Sequence, residues 1–285
     1  MKFGANTLIW AESFGPEHFS VLPRVKEAGL DGVELPIFHP ADFRAAAVRR
    51  ALEQEALACT ACTVIPRGLS LASSDPAARG GACSFVRDCL DAAAELGASL
   101  LVGPMYSPVG HFTGHRRTVD EWKWAVESWR ELAGAVHTSG VEVAIEPLNR
   151  FETYFLNTVA DAALFCDAIG SHQIGILVDT FHANIEEKSI GLALRQAGSH
   201  LKHVHTCEND RGTPGTGNVN WAEFIAAIRS LPYDGWLTIE SFGFRLGEIA
   251  AAASIWRDLA PTPESIAFEG VKFLRGNIAP AESAA

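Results

Sequence analysis

The sequence has few positive charges, few cysteines and no long apolar runs, and each shortage excludes a class of protein. Lysine and arginine number 23 against 34 aspartates and glutamates, which gives a formal charge of −11. A body this acidic repels phosphate backbones and anionic lipids, so we expect neither nucleic acid nor a membrane as a partner. The apolar runs are shorter than the roughly 18 residues that a membrane-spanning helix needs.

The six cysteines are spread over 285 residues, mostly within apolar segments. This spacing favours reduced, buried thiols over a disulfide framework. Cys59 and Cys62 have the spacing of a redox or zinc pair, but no second pair accompanies them, and we assign them neither role. The first residues run directly into a strand-like segment without the pattern of a secretory leader, so we expect a cytoplasmic protein.

The motifs of nucleotide binding are also missing, since no G-x-G-x-x-G turn follows the first strand and there is no P-loop. Instead, short apolar runs alternate with segments of helical periodicity. The predicted strands are Phe3–Trp10, Gly32–Ile37, Ala58–Ile65, Ser99–Met105, Glu142–Pro147, Ile174–Asp179, Leu201–Thr206 and Trp236–Ser241. Their continuous apolar character is typical of parallel strands that are covered on both faces.

Helical segments are predicted between these strands, and glycines 29 and 97 are predicted to end two of them in a left-handed conformation. The segments are Phe19–Ala28, Phe43–Ala56, Ala77–Leu96, Val119–Ser139, Val159–Ala168, Gly191–Ala197, Trp221–Ser230 and, after the last strand, Leu246–Leu259. Eight strand–helix units predict an α/β fold, a single (β/α)8 TIM barrel over residues 1–276, followed by a short polar tail at 277–285. An open, doubly wound sheet is the alternative.

Functional residues of such a barrel gather at the carboxyl ends of the strands, where four consecutive predicted strands carry ionisable residues. These are Glu146, Asp179, His205 and Glu240. Each alone is compatible with a helix cap, an ion pair or a core position. Together, buried carboxylates that face one another repel unless a cation lies between them.

We therefore predict that these four residues hold a divalent metal ion, and we expect no organic cofactor. Three carboxylates and one imidazole favour Mn²⁺, with Mg²⁺ or Co²⁺ as alternatives. His203 points to the same side of its strand as His205 but is further from the strand end. It is interpreted as a core residue or as a support of the metal ligands.

Polar and aromatic residues lie just beyond the predicted ligands. The polar residues are Arg150, Glu152, His182, Asn184, Glu208 and Arg211, and the aromatic ones are Trp10, Phe14, Tyr106, Phe242 and Phe244. The polar set is either charge on surface loops or a group of hydrogen-bonding partners for a polyhydroxylated ligand. The aromatic set is either core or an apolar wall against the C–H face of a sugar.

The segments at 145–152, 178–187 and 203–211 resemble the ketose 3-epimerases. These are the D-tagatose, D-allulose (psicose) and L-ribulose 3-epimerases of the xylose-isomerase-like barrel superfamily. The resemblance covers nearly the whole chain and is strongest from residue 141 onward. The first half departs from it, since Asn6 stands where the family often has an aromatic residue, and the loop from Tyr106 to His111 lacks the family's tryptophan.

The resemblance implies roles for the same residues. Glu146 and Glu240 would be both metal ligands and acid/base groups, while Glu152, His182 and Arg211 would hold O1 to O3 of a ketose. Phe242 would lie near the substrate, and Tyr106 and Trp10 are added as contacts from the aromatic set. The resemblance also implies a homodimer or homotetramer that acts on a small-molecule sugar in carbohydrate metabolism.

The implied reaction is a metal-dependent inversion at C3 of a free ketose. One carboxylate removes a proton from one face of the sugar, and another carboxylate returns a proton to the opposite face through an enediolate. An aldose–ketose isomerase, or another keto-sugar enzyme with the same metal site, is the alternative. A metal-dependent lyase or phosphodiesterase on the same barrel and a sugar-binding protein without catalysis are the remaining classes. The charge of −11 and the single set of four ligands disfavour the lyase or phosphodiesterase.

Overall fold

The computed structural model describes residues 1–278, and in it eight parallel strands form a closed barrel. The strands are β1 (Lys2–Asn6), β2 (Gly32–Pro36), β3 (Ala58–Cys62), β4 (Leu100–Gly103), β5 (Glu142–Ile145), β6 (Ile174–Asp179), β7 (Leu201–His205) and β8 (Trp236–Ile239). Pairing of β1 with β8 closes the barrel, from Lys2 opposite Trp236 to Ala5 opposite Ile239. The predicted barrel is confirmed and the open sheet is excluded.

Helices surround the barrel and begin and end close to the predicted positions for most units. They are α1 (Leu22–Glu27), α2 (Ala45–Gln54), α3 (Pro76–Leu96), α4 (Val119–Ser139), α5 (Val159–Ile169), α6 (Thr180–Glu186), α7 (Ile190–Ala197), α8 (Trp221–Ser230), α9 (Gly247–Ala252) and α10 (Pro263–Ile278), with 3-10 turns at Thr7–Ile9, Pro16–Val21 and Gly198–His200. The predicted left-handed glycines are confirmed, with φ of 87° at Gly29 and 84° at Gly97. These are conformations that side chains with a Cβ adopt only with strain.

The end of the chain differs from the prediction. The segment predicted as one helix at 246–259 contains only the short α9, and the helix that packs against β8 and β1 is α10. Its buried residues recur at helical spacing, at 266, 267, 270, 271, 274 and 278, so the sequence contained the signal. The helix continues to Ile278, two residues into the predicted tail, and positions 279–285 lie outside the described residues.

The apolar core lies mainly between the strands and the helices, and a second, small apolar layer fills part of the barrel interior. The inner layer consists of Cys62, Leu100, Val102, Ala144 and Leu177. All six cysteines are buried free thiols, as predicted. Among the described residues, every helix falls short of the length and apolarity that a membrane span requires.

Candidate active site

The four predicted metal ligands come together at the carboxyl end of the barrel. Asp179 and His205 are the last residues of β6 and β7, and Glu146 and Glu240 directly follow β5 and β8. One donor atom from each residue lies within 4.8 Å of the donor atoms of the other three. All four side chains are buried. The closed barrel brings them together because consecutive parallel strands end at the same rim.

Asp179 also starts the helix that follows its strand. Its Oδ1 accepts a hydrogen bond of 2.7 Å from the backbone N–H of Phe181, which makes Asp179 the N-cap of α6. Its Oδ2 accepts a hydrogen bond of 2.6 Å from Nη1 of Arg211. One carboxylate oxygen is therefore fixed by the helix and the other faces the site, so the side chain has little freedom to turn away.

Arg211 is a buried cation between two of the carboxylates. Its Nη1 lies 2.6 Å from Asp179 Oδ2 and 2.6 Å from Glu240 Oε2, and its guanidinium carbon lies 4.1 Å from the centre of the Phe181 ring. The backbone at Arg211 has a φ of 65°, which a non-glycine residue adopts only at a cost of order 1–3 kcal/mol. A hydrogen bond of 2.6 Å from Oγ of Ser241 to the Arg211 carbonyl helps to hold this conformation.

Two donor atoms of the site are buried without a hydrogen-bond partner. They are Oε1 of Glu146 and Nδ1 of His205, and they lie 3.9 Å apart. Nδ1 of His205 is also 3.3 Å from Glu240 Oε2. A buried polar atom without a partner costs free energy unless something absent from the protein chain satisfies it. Oxygen and imidazole nitrogen atoms that converge in this way fit a divalent ion.

The pKa shifts show that the site lacks positive charge. Burial, followed by the charge of Glu240, raises the pKa of Glu146 well above its ordinary value, and burial also raises the pKa of Asp179. Burial acts in the same direction on Glu240, but the charges of His205 and Arg211 outweigh it and lower the pKa to about 2. Three adjacent carboxylates therefore ionise together only if a further cation is present.

His182 stands beside the ligands as a neutral imidazole. Its Nδ1 accepts a hydrogen bond of 3.1 Å from the backbone N–H of Asn149, and its Nε2 lies 3.2 Å from Nη2 of Arg211. Burial, and then the charge of Arg211, holds the pKa of His182 well below its usual range. Asn149 in turn donates a hydrogen bond of 2.8 Å to Glu152 Oε1, so the three predicted contact residues His182, Arg211 and Glu152 are connected.

A cavity of about 250 Å³ opens onto these residues. Its polar wall contains Glu146, Glu152, His182, His205, Arg211 and Glu240, and its apolar wall contains Leu8, Phe38, Cys62, Val64, Val109, Leu148, Phe242, Ala252 and Ala253. The volume lies just below the usual range of ligand cavities, about 300–1,000 Å³, and suits a small ligand.

The predicted aromatic wall is only partly present. Phe242 lines the cavity, but Tyr106 is fully buried and stacks on Phe155 at 5.1 Å between ring centres. Trp10 lies 6.2 Å from Phe268, away from the lining residues. Neither side chain is among the lining residues of the cavity; Tyr106 belongs to the apolar core and Trp10 packs against it, so both contacts remain predictions. Phe38, which the sequence analysis did not select, lines the cavity instead.

Three polar residues of the outer ring do not reach the cavity. Arg150 is exposed and pairs with Glu186 at 2.9 Å, and Asn184 is exposed. Glu208 is buried, but it accepts hydrogen bonds from Gly215 N and Trp221 Nε1 at 2.8 and 2.6 Å. Glu208 therefore anchors the loop between β7 and α8, and neither interpretation offered from the sequence describes it.

The sequence analysis also missed Glu34, a fully buried carboxylate on β2 whose Oε1 lies 2.8 Å from His205 Nε2. A lone acidic residue in the apolar run Gly32 to Pro36 was the available signal. Charged residues are almost never fully buried without a partner, so such a residue in a parallel strand indicates an ion pair or hydrogen bond with another buried residue.

The chain is similar to known proteins over nearly its whole length. Residues 22–276 match the model of the xylose isomerase-like TIM barrel family. A probable ketose 3-epimerase of Synechocystis is 36% identical over 275 residues, which cover 96% of each chain, and a D-psicose 3-epimerase of Ruminiclostridium cellulolyticum is 31% identical over 91% of this chain and 90% of its own. A crystal structure of D-psicose 3-epimerase in the presence of D-fructose superposes with a TM-score of 0.91 at 28% identity, covering 98% of this chain and 100% of that one.

Proposed function

The chain belongs to the ketose 3-epimerases of the xylose isomerase-like TIM barrel family, and we propose that it is an isomerase that inverts C3 of free ketoses. The observation that carries the proposal is the convergence of donor atoms of Glu146, Asp179, His205 and Glu240, of which Glu146, His205 and Glu240 line one cavity. Two of these carboxylates, Glu146 and Glu240, belong to strands that are not neighbours in the barrel. They can therefore address a bound sugar from different directions.

The four converging residues would hold the metal ion, with Mn²⁺ expected first. A divalent cation there would offset the negative charge that develops on O2 and O3 of the sugar as the C3 proton leaves. His205 presents Nδ1 to the site while its Nε2 lies against Glu34. Arg211 remains beside Asp179 and Glu240 and supplies a second, fixed positive charge.

Glu146 and Glu240 would move the proton. The C3 hydrogen is acidic because the C2 carbonyl is adjacent, and a carboxylate within hydrogen-bond reach removes it. The pKa values of the two carboxyl groups are shifted in opposite directions in the metal-free site, so the two groups differ in how readily each gives up a proton. Removal of a proton on one face and return on the other inverts C3 and needs no organic cofactor.

The remaining polar residues of the cavity would orient the sugar. Arg211 and His182 offer nitrogen atoms to the oxygens near C1 to C3, and Glu152 accepts from a hydroxyl group. The opposite wall is apolar, and within the described residues Arg211 is the only basic side chain besides the histidines that lines the cavity. Since Asp179 and Glu240 already engage Arg211, the site favours a neutral sugar over a phosphorylated one.

The test is turnover of free ketoses. Protein loaded with Mn²⁺ is incubated with D-fructose, D-tagatose and L-ribulose, and the products are separated by chromatography. We expect the C3 epimer of at least one of them, formed at least about 100-fold more slowly by an E240Q control. Aldose products alone would replace the proposal with an aldose–ketose isomerase, and no turnover of any of the three ketoses would refute the proposed substrate class.

A further inference from the structure

Glu34 is a carboxylate with no exposed surface in the middle of β2. Its two oxygens lie within 3.0 Å of four side-chain nitrogen or oxygen atoms. Oε1 accepts hydrogen bonds from Asn6 Nδ2 at 3.0 Å and lies 2.8 Å from His205 Nε2. Oε2 accepts a hydrogen bond from Thr60 Oγ1 at 2.9 Å and lies 2.9 Å from His203 Nε2. A buried carboxylate with this many partners is fixed in place.

The contact between Glu34 and His205 crosses the interior of the barrel, because β2 and β7 are not neighbouring strands. A hydrogen bond from Nε2–H to Glu34 defines which nitrogen of the ring carries the proton. The other nitrogen, Nδ1, is then directed at Glu240 Oε2 at 3.3 Å and Glu146 Oε1 at 3.9 Å. Glu34 thus stands behind His205 on the side away from the proposed metal ligands.

We propose that Glu34 is a positioning residue for the metal site. It fixes the ring plane and the tautomer of His205, so that Nδ1 is presented to the ion. Asn6 and Thr60 hold Glu34 in turn, one at each oxygen. A hydrogen bond to the far nitrogen of a metal-binding histidine also makes the near nitrogen a better ligand. The inference rests on the proposed function, since it requires that His205 binds a metal ion.

A second metal ion at Glu34, His203 and His205 is the competing explanation, because their donor atoms also lie close enough to share one. The surroundings of Glu34 disfavour it. The amide Nδ2 of Asn6 and the hydroxyl of Thr60 point hydrogen atoms at the carboxylate oxygens. A cation in that position would face the positive ends of these donors, whereas a network of hydrogen bonds uses them.

The experiment measures Mn²⁺ binding to metal-free protein by isothermal titration calorimetry. E34L replaces the acceptor with an apolar side chain, and we expect it to weaken Mn²⁺ binding by about 10- to 100-fold. E34Q retains a carbonyl oxygen for Nε2–H, and we expect a smaller loss. T60V removes the hydrogen bond to Oε2 of Glu34, the oxygen that does not contact His205. It should weaken Mn²⁺ binding least. The native chain should bind one ion.

The control is E208Q, at a buried carboxylate that anchors a loop and touches none of the four proposed ligands. We expect it to lower the melting temperature and to leave Mn²⁺ affinity unchanged. If E34L does not fold, the Mn²⁺ affinities of the native chain, T60V and E34Q still test the positioning role, because they are expected to decrease in that order.

Equal Mn²⁺ affinity in the native chain, E34Q and E34L would overturn the positioning role and leave the proposed function intact. Two ions in the native chain, one of them lost in E34Q, would also overturn it, because Glu34 would then be a ligand. Absence of Mn²⁺ binding by the native chain would instead refute the metal-dependent function itself, and the inference with it.

Discussion

The half of the barrel from β5 to β8 and the half from β1 to β4 contribute different things to the same cavity. The four proposed metal ligands, Arg211 and His182 all come from β5 to β8 or from the segments that follow them. The other half supplies apolar lining residues such as Leu8 and Phe38. It also supplies Glu34, Asn6 and Thr60, which lie behind His205.

The difference shows that one half holds the reacting groups and the other half shapes and supports the site. A reacting group can rarely be replaced by another residue type, whereas an apolar wall can be formed by many apolar residues of suitable size. This agrees with the resemblance to the ketose 3-epimerases, which is strongest after residue 141. Changes in the second half should therefore abolish the reaction, and changes in the first half should adjust it.

Removal of the metal ion tests the comparison most severely. Dialysis against a chelator should abolish epimerisation, because the carboxylates then repel and the charge on the sugar is not offset. The melting temperature should fall as well, since an ion at 100 times its dissociation constant contributes about 2.7 kcal/mol of stability. Calorimetry before and after addition of Mn²⁺ measures this. Full activity in metal-free protein would refute the proposal that the half from β5 to β8 holds a catalytic metal ion.

The second-largest effect is expected from substitution of one carboxylate that transfers the proton. E240Q is expected to lower kcat by about 10²- to 10⁴-fold, which is the usual contribution of a general acid or base. Steady-state kinetics with saturating Mn²⁺ keeps loss of the ion from being the cause. A kcat within twofold of the native value would exclude Glu240 from the chemistry and would require another group to transfer the proton.

E146Q tests whether a group that the reaction needs destabilises the metal-free fold. Burial and the charge of Glu240 raise the pKa of Glu146, so the metal-free fold loses stability as the pH rises above the ordinary pKa of glutamate, where the unfolded chain ionises this group more readily than the folded chain does. E146Q should therefore be inactive and yet more stable than native metal-free protein at neutral pH, by on the order of 1 kcal/mol.

The gain in E146Q should disappear below about pH 4, where the native side chain is protonated in both the folded and the unfolded state. Thermal unfolding of both metal-free proteins between pH 4 and pH 8 measures this difference. A gain that does not change with pH would show that the charge of Glu146 is not its source.

The smallest effect is expected from the apolar wall of the first half. F38L keeps the wall apolar and changes its shape, so the ratio of kcat/KM for D-fructose and L-ribulose should shift by about tenfold or less. The kcat for the better substrate should stay near its native value, because Phe38 contributes an apolar side chain to the cavity and no acid, base or metal-binding group. A loss of kcat as large as that expected for E240Q would show that the half from β1 to β4 also contributes to the chemistry.

Much of the site was predictable because strand ends are readable in the sequence. Glu146, Asp179, His205 and Glu240 each follow an apolar run, and a closed barrel brings such positions together. Side-chain direction is less readable near the strand ends, where the regular alternation breaks down. Tyr106 and Trp10 are examples, since neither is among the residues that line the cavity.

Other features depend on contacts between distant strands. Glu34 is 171 residues from His205, and only closure of the barrel reveals that they meet. The positive φ of Arg211 has no signal in the sequence, because it is held by Ser241 from the following strand end. The helix at Pro263–Ile278 had a readable pattern and was missed because an earlier segment had been assigned as the eighth helix.

The position of solvent hydrogen in the product tests the central claim most directly. Mn²⁺-loaded protein is incubated with D-fructose in deuterated water, and the recovered sugars are analysed by proton nuclear magnetic resonance. The account predicts a C3 epimer with deuterium at C3, because a carboxyl group that exchanges with solvent returns the proton there. Deuterium only at C1 or C2 would contradict it and would show an aldose–ketose isomerase.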